Sequence, residues 1–517
     1  MSRRARRAVL PPAVFAAVLL ATACAPGLTV APEYATDSGG HGAQVQHTDT
    51  PPSGPPGITP PNNDLSWGPC TGPTVTGAPA GVTLECATFE APLDPINGTK
   101  GQITIGAVRA RSAQTPADAG PVVFTTGSDL PSSEQLPVWL TRSGTDILKS
   151  HPVVALDRRG TGRSQAVTCR DPFERAEMFD QAQFESGDDP VAKLGAVTMT
   201  ATTNCTDTIS PGDSAYNNAH AAEDLEKLRS TWDVPALALI GVGNGAQVAL
   251  SYASAHPDKV ARLVLDSPLP LAISAEAAAE QSAAGAQASI NAFATQCAAV
   301  NCALGPDPKG AVSALITDAQ HGRGPGGVSA AALVSAIVDA LGYPVGTGPE
   351  NTVRLANALA AARNGDPGGL DALVQAAEAR SDDGAFINRC SDALNRPTPD
   401  RVRELVVAWG KKYPQTGAVT ALDLVKCLNW PSGSVPEEPK ELKVDVLLLG
   451  VANNPVIGSD GVAATAAAVI NAGAGNRRVM WQGIGNGAIV NSGCAMNSAL
   501  SYIGDGKLPD TDTFCPA

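Results

Sequence analysis

The tightest constraint on the fold is a short apolar run that ends in a glycine-rich turn. Residues 236–240 are continuously apolar and of strand length. Gly241-Val242-Gly243-Asn244-Gly245 follows at once, and residues 246–255 then read as a helix. A second strand, 263–266, closes the unit, and a helical stretch, 221–231, leads into it. Strand, tight turn, helix and strand in this order make a parallel βαβ crossover, whose sheet needs helices on its faces. The turn admits two readings. As G-x-G-x-x-A it matches the dinucleotide fingerprint, with Asp266 about twenty residues beyond the motif as the ribose-binding acid. As G-x-Nu-x-G it is a nucleophile elbow, a sharp turn that lifts a reactive side chain above the sheet, with Gly243 at the nucleophile position.

The rest of the chain fits a larger sheet around this unit. Short β-type runs bounded by Gly and Pro occur at 82–87, 102–108, 122–126 and 153–157. Alanine-rich amphipathic stretches dominate from about 273 to 435, including 275–298, 328–341 and 352–363. Strand character returns at 444–450 and 478–481. The expected class is α/β, with a helical insertion between core strands. The expected organisation is a leader 1–23, a Pro/Gly/Thr-rich stalk 24–64, a first core part 65–272, a helical cap 273–435 and a C-terminal core part 436–517.

The N-terminus and the cysteines fix the compartment. Arg3, Arg4, Arg6 and Arg7 precede an apolar run, 13–21, too short to span a bilayer and ordered like a secretory signal. Leu20-Ala21-Thr22-Ala23-Cys24 resembles a bacterial lipobox, which makes Cys24 the expected lipidated residue and a lipid anchor in the membrane the expected attachment. Cleavage after Ala23 without lipidation is the alternative. The other ten cysteines, Cys70, Cys86, Cys169, Cys205, Cys297, Cys302, Cys390, Cys427, Cys494 and Cys515, are an even set suited to disulfides in an exported chain. Pairing between sequential neighbours is the simplest arrangement. No CxxC pair and no downstream histidine supports a zinc site, so no metal is expected. An exported chain also has little access to nicotinamide cofactors, so none is expected. A net charge of −14 opposes binding to nucleic acid, and 4% aromatic content is too little for a stacking platform.

Several motifs now carry a family resemblance. They are Leu156-Asp157-Arg158-Arg159-Gly160-Thr161-Gly162-Arg163-Ser164, Asp224-Leu225 ahead of the elbow, and Tyr252-Ala253-Ser254-Ala255-His256-Pro257-Asp258-Lys259-Val260 behind it. The C-terminal Gly504-Asp505-Gly506-Lys507-Leu508-Pro509 before Cys515 is another. In this order, from Trp67 to Cys515, the chain resembles the exported α/β-hydrolases of the tripeptidyl-aminopeptidase-like family, serine enzymes of actinobacterial cell envelopes. The resemblance implies an α/β-hydrolase fold with a helical lid and a Ser, Asp, His triad in that chain order.

The positions where that family carries its triad hold other residues. Gly243 stands where a serine is expected, Asn454 where the aspartate is expected, and Asn486 where Gly-x-Gly-His-Gly has its histidine. The six histidines end at His321, so no imidazole is available near the C-terminus. The oxyanion loop is reduced to Thr126-Gly127-Ser128-Asp129-Leu130. Glycine offers no attacking oxygen, Asn486 cannot cycle a proton near neutral pH, and Asn454 cannot stabilise an imidazolium. Two neutral asparagines also avoid the buried unpaired charge that a lone aspartate would leave, and they can bond to each other or to nearby backbone. The expectation is a pseudo-hydrolase without catalytic residues. Its candidate pocket is formed by Gly127, Ser128, Gly243, Asn244, Asn454 and Asn486, widened at the floor by Gly243 and open to a peptide or small apolar ligand. A second reading is an active serine hydrolase or peptidase using displaced residues, with Ser128, Ser164, Ser251 or Ser459 as hydroxyls. A third is a regulatory partner of an active paralogue. His151 is expected in a loop, His220 exposed or capping a helix, and His256 structural. Asp157 with Arg158 and Arg159 is expected to form an internal hydrogen-bond network.

Overall fold

The apolar runs become one ten-stranded sheet. In chain order its strands are β1 (Gly68–Pro69), β2 (Val82–Pro92), β3 (Gln102–Ser112), β4 (Val122–Thr125), β5 (Val153–Leu156), β6 (Leu237–Val242), β7 (Val260–Asp266), β8 (Val446–Asn453), β9 (Asn476–Ile484) and β10 (Thr513–Cys515). Across the sheet they lie in the order β1-β2-β3-β5-β4-β6-β7-β8-β9-β10. The pairs from β1 to β5 are antiparallel, and every pair from β5 through β4 to β10 is parallel. Every residue of β4, β5, β6 and β7 is buried, as parallel strands covered on both faces require. This computed structural model describes residues 56–71, 77–182, 187–431 and 436–517. Cys24, the leader and the stalk up to residue 55 lie outside them.

Alternation along the strands sends neighbouring side chains to opposite faces. On one face Leu239, Leu263 and Leu448 meet the helices Asn218–Trp232 and Asn244–Ala255 through Leu225, Trp232 and Leu250. On the other, Phe124, Ile240 and Leu447 meet the helices Ser132–Trp139 and Gly493–Asp505 through Leu136, Trp139 and Met496. Phe124 stacks on Trp139 with ring centroids 4.8 Å apart.

A run of helices from Ala275–Ala299 to the short turn Leu424–Cys427 lies between β7 and β8. Its starts are capped as the sequence dictates. Ser274 accepts from the Ala277 amide at 3.2 Å, and Thr398, placed before Pro399, accepts from the Arg401 amide at 3.2 Å. Ile290, Phe293, Leu333, Ile337 and Leu355 give this cap its own apolar centre.

Two expected boundaries move. The helix Pro190–Ile209, between β5 and β6, belongs to both parts. Val191 and Leu194 pack with Val402, Leu405 and Trp409 of the cap, whereas Ala201, Cys205 and Ile209 join the core. The cap is therefore not confined to 273–435. The stalk also ends earlier than Asp64. The Asn62 and Asn63 amides donate to Trp232 O at 2.9 and 3.2 Å, and Asp64 pairs with Arg109 at 2.6 Å. Polar bonds to backbone, invisible to a hydrophobic pattern, fix this segment.

The disulfides are Cys70–Cys86, Cys169–Cys205, Cys297–Cys302, Cys390–Cys427 and Cys494–Cys515, each between sequential neighbours. Such a set is that of an exported chain. Among the described residues no helix is long and apolar enough to cross a membrane.

Candidate functional site

The parallel strands deliver four loops to one edge of the sheet, at their carboxyl ends, where open α/β sheets bind ligands. The loop after β4 carries Gly127 to Asp129, and the turn after β6 carries Gly243. The loops after β8 and β9 carry Asn454 and Asn486. The elbow is tight. A Cβ on Gly241 would lie 2.6 Å from the Ala246 Cα, and one on Gly245 would overlap Thr125 O at the end of β4. Gly243 has φ 61° and ψ −125°, a backbone state that strains any residue with a side chain. The Gly243 amide donates to Asp266 O at 2.9 Å, which ties the turn to β7.

At the Asp and His positions the structure holds a closed amide pair. Asn454 Nδ2 donates to Asn486 Oδ1 at 3.0 Å. Asn454 Oδ1 accepts from the Val456 and Ile457 amides at 2.9 and 3.2 Å, and the residue is fully buried. The mutual bond expected between the two asparagines is thus present. Asn486 also holds the cap. Its amide donates to Gly342 O at 2.8 Å, and its Nδ2 donates to Tyr343 Oη at 3.3 Å. Burial raises the Tyr343 phenol far above its usual range, so it stays neutral. Tyr343 Oη reaches Asp129 O at 3.4 Å.

The floor beside Gly243 is not widened. Asp129 Oδ2 fills the space that a Cβ of residue 243 would take, with Asp129 Cγ and Ile457 Cδ1 each 3.3 Å from that point. The same oxygen accepts from the Asn244 amide at 2.8 Å. Burial pushes the Asp129 carboxyl upward, against the opposing pull of Arg389, the Asn244 amide and Arg158. Asn244 is the hub beneath it. Its Oδ1 accepts from the Ser128 amide at 2.9 Å and from Arg158 Nη1 at 2.5 Å. Asp129 was missed because the sequence offered one signal only, an acid in a loop where the family has glycine and proline.

A cavity of about 440 Å³ lies between cap and sheet edge. Apolar side chains such as Leu269, Ile273, Val338 and Ile457 line it, together with Asp129 and Arg389. Of the expected pocket residues, Ser128 and Asn244 line it. Gly127 lines a smaller neighbouring cavity of about 40 Å³. Gly243, Asn454 and Asn486 line neither, because Asp129 covers the first and burial encloses the other two. The remaining acids on the wall are occupied, Asp339 by Arg380, Asp392 by Arg158 at 2.8 Å and Asp423 by Gln181 at 2.9 Å.

The other candidates are structural. Arg159 grips Asp224 through two bonds of 2.9 and 2.7 Å inside the core, and Asp157 accepts from Ser133 and from the Arg163 amide. These bonds are internal, as expected, but the Asp157 side chain bonds neither Arg158 nor Arg159. Asp266, the acid of the dinucleotide reading, is fully buried and bound by the Ile489 amide at 2.6 Å and by Ser267 at 3.0 Å. It faces no ligand space. His220 is neither exposed nor a cap. It is fully buried, with Nε2 2.9 Å from Asp94 and Nδ1 2.8 Å from Asn217, the residue that caps its helix. His151 bonds Gly120 O and His256 bonds Glu223. Among the described residues no histidine hydrogen-bonds a serine hydroxyl, and no cluster of ligand-type side chains that could hold a metal ion is present.

Two family profiles match this architecture, that of the TAP-like proteins over residues 413–515 and that of the alpha/beta hydrolase fold over residues 139–307. The chain carries a TAP-like C-terminal region and an α/β-hydrolase fold. It is similar to the serine protease Hip1 of Mycobacterium tuberculosis, at 28% identity over 164 residues, 31% of each chain. It is also similar to the tripeptidyl aminopeptidase of Streptomyces lividans, at 23% identity over 190 residues, 36% of this chain and 35% of that one. These alignments span about a third of the relatives' length. Esterase E22 superposes loosely, with a TM-score of 0.39 and 12% identity over 81% of this chain and all of its own.

Proposed function

We propose that this chain is an exported lipoprotein, anchored through Cys24, with no serine-hydrolase activity. Its cap–core cavity holds a peptide or a small apolar ligand without turning it over. One observation carries the reading: at the elbow there is no hydroxyl, and the space for one is taken by the Asp129 carboxylate. The amide pair of Asn454 and Asn486 supports it, since neither side chain can relay a proton. The cavity has the size of a small-ligand site, and its wall mixes apolar residues with charged ones such as Asp129, Asp392 and Arg389. The test joins two measurements on folded protein. A fluorophosphonate probe is expected to leave the chain unlabelled, with no turnover of aminoacyl or tripeptidyl substrates. Calorimetric titration with short peptides and lipids is expected to give saturable binding to at least one. Labelling with turnover overturns the non-enzymatic reading, and a complete absence of saturable binding overturns the binding role.

A further inference from the structure

We propose that Asp129 is a resident carboxylate ligand of the elbow, seated where a hydrolase of this fold holds the oxygen of its reacting carbonyl. The amide after the nucleophile position is one of the two donors that stabilise that oxygen in such enzymes. Here that amide belongs to Asn244, and it donates to Asp129 Oδ2 at 2.8 Å. The same oxygen stands in the space of the missing side chain at Gly243. One carboxylate thus fills both halves of the reactive corner, the donor site and the nucleophile site.

The loop is built to keep it there. The Thr126 amide donates to Ser132 Oγ at 3.0 Å, and the Thr126 hydroxyl donates to Leu130 O, which closes the loop on itself. The Ser128 amide is held by Asn244 Oδ1, the residue whose backbone the carboxylate binds. Tyr343 of the cap bonds Asp129 O from above. Arg158 beneath and Arg389 on the cavity wall add favourable charge.

The corner is therefore a carboxylate subsite filled by the chain itself, and it is shut to external carbonyl and carboxylate groups. This closure is separate from the exchange of the triad residues. A serine at 243 would meet Asp129 whatever stands at 454 and 486.

The test reads stability rather than activity, so its outcome is independent of whether the chain proves to be an enzyme. Sodium acetate is titrated into native protein and into Asp129→Gly, with sodium chloride at matched ionic strength as control, and Tm is followed. Acetate is expected to raise Tm saturably in Asp129→Gly and to leave the native protein unmoved. An equal response in both, or none in the variant, overturns the carboxylate assignment. A second arm introduces Gly243→Ser into each background. Its loss of Tm is expected to be at least halved when Asp129→Gly is present, including the case in which the single variant fails to fold. Equal losses in both backgrounds overturn the claim that Asp129 occupies the nucleophile space.

Discussion

The bond between Asn454 and Asn486 makes the site stable in a way that a broken triad would not be. Each amide has a partner, and Asn454 is fully buried. Asn486→Ala should strand Asn454 Nδ2 and cost about 1–3 kcal/mol, the penalty for an unsatisfied buried donor, measured by urea unfolding. Asp129 gives a pH signature. Burial holds its carboxyl above the ordinary value of 3.8, so the folded chain keeps this proton more tightly than the unfolded chain. That contribution favours folding at low pH and is lost as pH rises through the folded value. The groups acting on it are Arg389, Arg158 and Asp392. Asp129→Asn keeps the shape and removes the charge. The Tm of the variant relative to the native protein should therefore be more favourable at about pH 7 than at about pH 4; the opposite trend contradicts the assignment. At this scale the sequence was informative where position along a strand decides. Gly243, Asn454 and Asn486 follow β6, β8 and β9 directly. It was silent on Asp129, whose role rests on an approach to Asn244, 115 residues away.

The elements show a cap fastened to the core through the carboxyl-end edge of the sheet. Gly342 O and the Tyr343 hydroxyl bond Asn486, and Arg142 donates to Pro344 O. Tyr343→Phe removes the hydroxyl from between Asn486 and Asp129. Amide hydrogen exchange across residues 340–351 should then speed up while the central strands stay protected. Unchanged exchange there would mean that the cap is held elsewhere. Strands β4 to β8 were legible because parallel buried strands are continuous apolar runs, and β2 and β3 as β-type runs bounded by Gly and Pro. The cap helices were legible from alanine-rich amphipathy. The edge strands β1 and β10 are too short to leave a pattern. The helix Pro190–Ile209 lies inside the expected core range 65–272, although its two ends pack into different clusters.

Across the whole molecule, five disulfides and a sheet completed after a large insertion describe an exported α/β-hydrolase fold. The relatives carry the names of a serine protease and a tripeptidyl aminopeptidase, whereas the proposed function is non-enzymatic. A single labelling series sets these against each other, using a fluorophosphonate probe with mass spectrometry to locate any adduct. It compares the native chain, the variant Gly243→Ser/Asn454→Asp/Asn486→His, and the same variant with Asp129→Gly added. The expected result is no label on the native chain, little on the first variant and labelling at position 243 only when Asp129 is also removed. Stoichiometric labelling of a serine in the native chain would contradict the account.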